Sequence, residues 1–156
     1  MSRILKVAAA QLGPIAVAEP RSSAVERMIA LMQNAKAQGA ELVVFPELAL
    51  TTFFPRWYSE DQSEIDKYFE TEMPNKATQP LFDEARKLKI GFNFGYAELV
   101  VEDGVTRHFN TAVLVNNQGE IAAKYRKIHL PGHTEHEPWR AFQHLEKRYF
   151  EKGNLG

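Results

Sequence analysis

Two short motifs carry side chains suited to acid–base and electrostatic chemistry. The first is Val43-Val44-Phe45-Pro46-Glu47, an apolar run closed by a carboxylate. A glutamate just beyond the carboxyl end of a buried strand lies where α/β sheets bind their ligands, and the low dielectric there suits a general base. The second is Lys124-Tyr125-Arg126-Lys127-Ile128-His129-Leu130-Pro131-Gly132. An ammonium held beside a carboxylate stays charged and can stabilise an oxyanion. Taken singly, Glu47 is better explained as a surface-loop carboxylate. The second run alone reads as a solvated basic edge that protects a strand. The chain has no cysteine, which excludes a disulfide, a thiolate metal site and a thiol nucleophile within these residues. His129, His133, His136 and His144 cluster with Glu135 and Glu137, a composition that can bind zinc. Pro131-Gly132 breaks any helix that would align His129 with His133, and no H-E-x-x-H pattern exists, so the metal reading is a rival only.

The elements that must position these groups can be read from periodicity. Residues 4–11 form a short apolar run ended by Gly13-Pro14, predicted to be a buried strand. Residues 20–38 read as a helix with Val25, Met28, Ile29, Met32 and Ala35 on one face and Gly39 as its stop. Residues 42–45 make a second buried strand. Strand, helix and strand with short joins predict a parallel βαβ unit. Residues 51–58 are aromatic and irregular, and 63–69 suggest a short helix. Thr78 is a candidate N-cap with Pro80 in the first turn, for a helix to about Leu88 with Leu81, Ala85 and Leu88 inward. Runs at 90–100, 106–115 and 120–125, separated by Glu102-Asp103-Gly104 and Asn116-Asn117-Gln118-Gly119, predict an antiparallel meander. The sheet should therefore be mixed. Residues 127–138 are loop-like, 141–150 partly helical, and Gly153-Asn154-Leu155-Gly156 has loop composition.

The composition is that of one globular domain: 156 residues, 44% hydrophobic and 25% charged. A formal net charge of -1 gives no footprint for nucleic acid or an anionic membrane surface. The opening Met1-Ser2-Arg3-Ile4-Leu5-Lys6 interrupts its apolar residues with charge and reads as neither a signal peptide nor a membrane span. A cytoplasmic location is the expectation.

Read together, Phe45-Pro46-Glu47 and Lys124-Tyr125-Arg126-Lys127-Ile128-His129-Leu130-Pro131 resemble the nitrilase superfamily of carbon–nitrogen hydrolases. Val7-Ala8-Ala9-Ala10-Gln11 and Asn110-Thr111-Ala112-Val113-Leu114-Val115 are similar to that family's first and later strands, so the resemblance covers essentially the whole chain. Within the family, Glu47-Leu48-Ala49-Leu50-Thr51-Thr52-Phe53-Phe54-Pro55-Arg56-Trp57 and Arg126 to His133 are most similar to N-carbamoyl-D-amino-acid amidohydrolases.

The resemblance implies a Cys–Glu–Lys mechanism needing no cofactor. Glu47 matches the general base, Lys127 the lysine that stabilises the tetrahedral intermediate, and Glu146 a second carboxylate near that lysine. His129 and His144 match residues that position these groups and the substrate. Read from the residues, Phe53 and Phe54 either line the pocket or pack in the core. The implied reaction converts an N-carbamoyl-D-amino acid to the D-amino acid, ammonia and carbon dioxide. The implied fold is α/β, part of a four-layer αββα sandwich left incomplete here. The 156 residues would then be the amino-terminal half of one hydrolase domain in a protein about twice this length. The expected partners are a small-molecule N-carbamoyl amino acid and further copies of the chain, in a dimer or tetramer. Since the family's cysteine and substrate-carboxylate arginines are expected beyond Gly156, the isolated chain should not turn over substrate and should be prone to aggregate. Two other readings stay open: a sibling amidase, nitrilase or β-ureidopropionase, and a non-catalytic interaction domain.

Overall fold

In the computed structural model, residues 4–155 are described. Residues 1–3 and 156, which belong to the amino-terminal segment and closing loop read above, lie outside them. The chain forms β1 (Val7–Ala9), α1 (Arg21–Ala37), β2 (Leu42–Val44), a 3₁₀ turn (Phe54–Arg56), α2 (Gln62–Asp66), α3 (Gln79–Leu88), β3 (Gly91–Glu102), β4 (Val105–Val115), β5 (Ile121–Arg126) and α4 (Glu146–Tyr149). The strands make one mixed sheet in the order β1-β2-β3-β4-β5. The first three are parallel, and β4 and β5 continue antiparallel as a meander.

Side-chain alternation divides the sheet into two faces. Val43, Phe92, Phe94, Tyr96, Val113 and Val115 point to the helical side, where Val25, Met28 and Met32 of α1 and Leu81, Phe82 and Ala85 of α3 complete the main core. α1 ends as its sequence demands. Gly39 takes φ +83, and the Ala40 N–H reaches back to the Ala35 carbonyl at 3.0 Å. The opposite face carries Val44, Asn93, Gly95, Ala112, Leu114 and Tyr125. A second core covers only one end of it, formed by Leu48, Phe54, Ile65, Phe69, Ala97, Leu145, Tyr149 and Phe150. Across the rest, Val44, Leu114 and Tyr125 are exposed.

Three expectations need correction. The strand read at residues 4–11 is not buried: β1 spans three residues at the sheet edge, and Val7 is 49% exposed. An apolar run reports what a strand would bury if both its faces were covered, and here one face and one edge are open. Thr78 occupies the N-cap position of α3 but makes no side-chain cap bond, because its hydroxyl pairs with Asn75 instead. Phe54 is 1% exposed and belongs to the second core, stacked on Tyr68, so it takes the core alternative and lines neither cavity that Glu47 shares. The reading at Glu102-Asp103-Gly104 holds: Asp103 (φ 52) and Gly104 (φ 74) adopt the left-handed pair that a two-residue hairpin turn requires.

Candidate active site

Glu47 leaves β2 through Pro46 and turns immediately, with Leu48 at φ 49. This turn lies directly on Gly95 of β3. The Ala49 N–H donates to the Gly95 carbonyl at 2.8 Å, and the Gly95 N–H donates to the Pro46 carbonyl at 3.3 Å. A Cβ on Gly95 would stand 3.0 Å from the Glu47 Cα and 3.1 Å from the Leu48 nitrogen, so only glycine lets the turn sit so low.

Lys127 continues the line of β5 for one residue. Its N–H donates to the Asn110 carbonyl of β4 at 2.8 Å, and its carbonyl accepts from the Gly153 N–H at 3.0 Å. Alternation then sorts the basic motif. Tyr125 and Lys127 face the open side, whereas Lys124 and Arg126 face the helical side and pair with Glu98. That buried glutamate also accepts from Thr111, and Arg126 reaches Glu102 and Asn154. Burial opposes the Glu98 charge, but hydrogen bonds from Arg126, Lys124 and Thr111 outweigh it and hold the carboxyl below the usual glutamate value.

Glu146 opens α4. Leu145 fixes it by burying its side chain and donating its N–H to the Pro55 carbonyl at 2.8 Å. Gly132 (φ +76) lets the preceding loop close on the same segment, where the His133 N–H meets the His144 carbonyl at 2.9 Å. A Cβ on Gly132 would overlap that carbonyl.

These three anchors bring Lys127 Nζ to 2.7 Å from Glu47 Oε1 and 2.9 Å from Glu146 Oε2. The Glu146 side chain is 2% exposed, that of Lys127 26% and that of Glu47 46%. Glu47 is therefore not the low-dielectric carboxylate expected of a general base: its head opens into a cavity of about 410 Å³. Burial works against the Lys127 ammonium, but hydrogen bonds to the two carboxylates and their charges prevail, raising its pKa above the ordinary lysine value. The site thus holds one fixed cation between two carboxylates. Such an ammonium can stabilise an oxyanion, and the exposed carboxylate can accept a proton.

Glu47, Lys127 and Glu146 converge, as does His144, whose Nε2 lies 3.0 Å from Glu146 Oε1. Phe53 is edge-on to His144 at 5.5 Å between ring centres and lines a smaller cavity that Glu47 shares. His129 lines the main cavity and makes no hydrogen bond among the described residues. The remaining members of the histidine cluster disperse. His136 stacks on Tyr58, and His133 pairs with Glu137, which also takes Arg140. Among the described residues no three His, Asp or Glu side chains converge in a metal-binding arrangement. Sequence reasoning missed Asn110, Gly95 and Tyr125 as neighbours of the pair. The signal available for Asn110 was a polar residue that alternation puts on the same face as Ala112 and Leu114, next to the apolar end of β4.

A family profile described as carbon-nitrogen hydrolase matches residues 6–155. The chain belongs to the carbon-nitrogen hydrolase family. This family member is 34% identical over 154 residues to a nitrilase from Pyrococcus abyssi, covering 98% of the chain and 50% of the relative. It is 29% identical to a formamidase from Bacillus cereus, covering 82% of the chain and 37% of the relative. An omega-amidase from Homo sapiens is 28% identical over 70% of the chain and 36% of its own length. Among solved structures, a carbon-nitrogen hydrolase from Helicobacter pylori superimposes with a TM-score of 0.72 at 24% identity, over 97% of this chain and 46% of that one. An amidase from Nesterenkonia sp., which has an active-site cysteine, superimposes with a TM-score of 0.70 at 21% identity, over 97% of this chain and 51% of that one. These likenesses show the same fold. The chain spans about half the length of the first of these relatives and less of the others.

Proposed function

We propose that the protein carrying this chain hydrolyses carbon–nitrogen bonds of linear amide or ureido compounds, with N-carbamoyl-D-amino acids as the substrate. The observation that carries the reading is Lys127 clamped between Glu47 and Glu146 at the floor of an open cavity. A cysteine, absent from these residues, supplies the nucleophile, as the active-site cysteine of the Nesterenkonia amidase suggests. Glu47 accepts the thiol proton as sulfur bonds to the carbonyl carbon. Lys127 holds the charge that develops on the carbonyl oxygen. The carbon–nitrogen bond then breaks, and the proton on Glu47 passes to the departing nitrogen. Glu47 next takes a proton from water, whose oxygen attacks the carbonyl of the covalent intermediate (a thioester from an amide, a thiocarbamate from a ureido compound), and that proton returns to the sulfur as it leaves. A carbamic acid so released breaks its carbon–nitrogen bond to give the amine and carbon dioxide. Glu146, buried against Lys127, keeps the ammonium in place through both halves.

The relatives' names support amide or nitrile hydrolysis in general. The choice of N-carbamoyl-D-amino acids rests on the runs Glu47 to Trp57 and Arg126 to His133. A second reading, an amidase for short linear amides, is favoured by the formamidase and omega-amidase relatives. We read residues 1–156 as the amino-terminal half of one domain; the 50% coverage of the Pyrococcus nitrilase supports a half, without saying which. We place the protein in the cytoplasm as a dimer or tetramer; no helix among the described residues is long and apolar enough to cross a membrane. Ammonia release from N-carbamoyl-D-amino acids, their L-enantiomers and simple amides tests the assignment. Equal rates on both enantiomers, or turnover of simple amides alone, would overturn the substrate choice.

A further inference from the structure

Resting on that reading of Glu47 as the base, the geometry points to Asn110 as a positioning residue that fixes which Glu47 oxygen takes the proton. Asn110 is 4% exposed on β4, and two of its polar groups are used at the site. Its Nδ2 donates to Glu47 Oε1 at 2.5 Å, and its carbonyl accepts the Lys127 N–H at 2.8 Å. One residue thus holds the side chain of the proposed base and the backbone of the lysine that pairs with it.

Lys127 Nζ reaches the same oxygen, Oε1, at 2.7 Å. Two donors therefore converge on Oε1, while Oε2 accepts no hydrogen bond among the described residues. A carboxylate oxygen already accepting two hydrogen bonds has little basicity left, whereas its unpaired partner keeps its own. Oε2 is therefore the proton-accepting atom, and it belongs to a side chain 46% exposed at the cavity. Without Asn110, Glu47 would keep only Lys127 as a tether, and rotation about its last bond would exchange the two oxygens freely. Gly95 fixes the turn from below and Asn110 fixes the head from the side, so the base is set at both ends of its side chain.

Other charged or titratable groups facing Glu47 are Lys127, with Glu146 and His144 behind it, His129 and Tyr125 in the main cavity, and Arg56 in the adjoining one. None of them donates to Oε2.

The test uses the natural polypeptide that carries residues 1–156, labelled with ¹³C and ¹⁵N. In the unsubstituted protein, a through-hydrogen-bond coupling should join the Asn110 Nδ2 and the Glu47 carboxylate carbon. In Asn110→Ala, the Glu47 side chain should lose its single conformation, with its Cγ and Cδ signals broadened by exchange of the two oxygens. Turnover should fall about tenfold to a hundredfold, with KM within about twofold, since the Asn110 Nδ2 is committed to Glu47. The absence of that coupling overturns the inference, and so does an Asn110→Ala variant with unchanged Glu47 signals and turnover. If the variant does not fold, the measurement on the unsubstituted protein still decides. A protein in which Asn110 and Glu47 are coupled but that releases no ammonia from any amide sinks the proposed activity and leaves the Asn110–Glu47 link standing.

Discussion

Lys127 and Glu146 form a largely buried ion pair, with 2.9 Å between Nζ and Oε2 and only 2% of the glutamate side chain exposed. Lys127 also spans 80 positions of sequence to reach Glu47. Desolvating a carboxylate this completely is tolerable only while a cation stays beside it. Lys127 is therefore tied to stability as well as to chemistry.

Replacing Lys127 by methionine keeps its apolar stem and removes its charge. Glu146 then keeps only His144 as a charge partner. Urea denaturation of the Lys127→Met variant should show a loss of about 3 kcal/mol, the scale for breaking a buried pair. Amide hydrolysis by the parent protein should become undetectable. A variant as stable as the wild type would show that Glu146 does not need the lysine.

The same pair predicts an alkaline limit. The pKa of Lys127 is raised in the folded state, so its contribution is complete below the unfolded value of 10.5 and is lost as pH rises through the higher folded value. Melting temperature should fall in that range for the wild type, and less for Lys127→Met. Parallel curves for the two proteins would refute the assignment.

Glu98 predicts the acid limit. Its folded pKa lies below 4.5, so its contribution is present above 4.5 and disappears as pH drops through the folded value. Glu98→Gln should already be destabilised at neutral pH, and its stability should fall less steeply on acidification. An acid limb as steep as that of the wild type would mean that other carboxylates dominate.

Gly95→Ala tests how closely the base must be placed. Its Cβ would press on the backbone of Glu47 and Leu48, moving the turn by a few tenths of an ångström. Turnover should drop roughly tenfold or more, since small misplacements of catalytic groups are costly. Full activity in a folded variant would show that the turn can yield without consequence.

The 156 residues expressed alone should release no ammonia from any carbamoyl or amide substrate, because they contain no thiol. The chain should also self-associate through the open sheet face bearing Val44, Leu114 and Tyr125. Steady turnover by a preparation free of other hydrolases would contradict the cysteine mechanism.

Much of this was legible in the residues. The α1 face, the stop at Gly39, the Asp103-Gly104 hairpin and the mixed sheet follow from periodicity and turn chemistry, which act over a few neighbours. Glu47 and Lys127 stood out only because their two motifs together resemble a known family; each local pattern alone reads as a surface charge. Other features depend on which faces become covered. Apolar runs alike in character gave an exposed Val7 in β1 and a buried Val43 in β2, and Phe53 and Phe54, adjacent in sequence, went to a cavity wall and a core.

The sequence by itself determined the elements, their order and the residue types able to act as base and oxyanion partner, because these depend on short-range sterics and side-chain chemistry. Tertiary structure alone decided that Lys127 lies between Glu47 and Glu146, that Arg126 turns away to Glu98, and that Asn110 and Gly95 hold Glu47. Those relationships arise from sheet register and from backbones in contact, where one residue of slip would reverse every face and no local pattern records the distance.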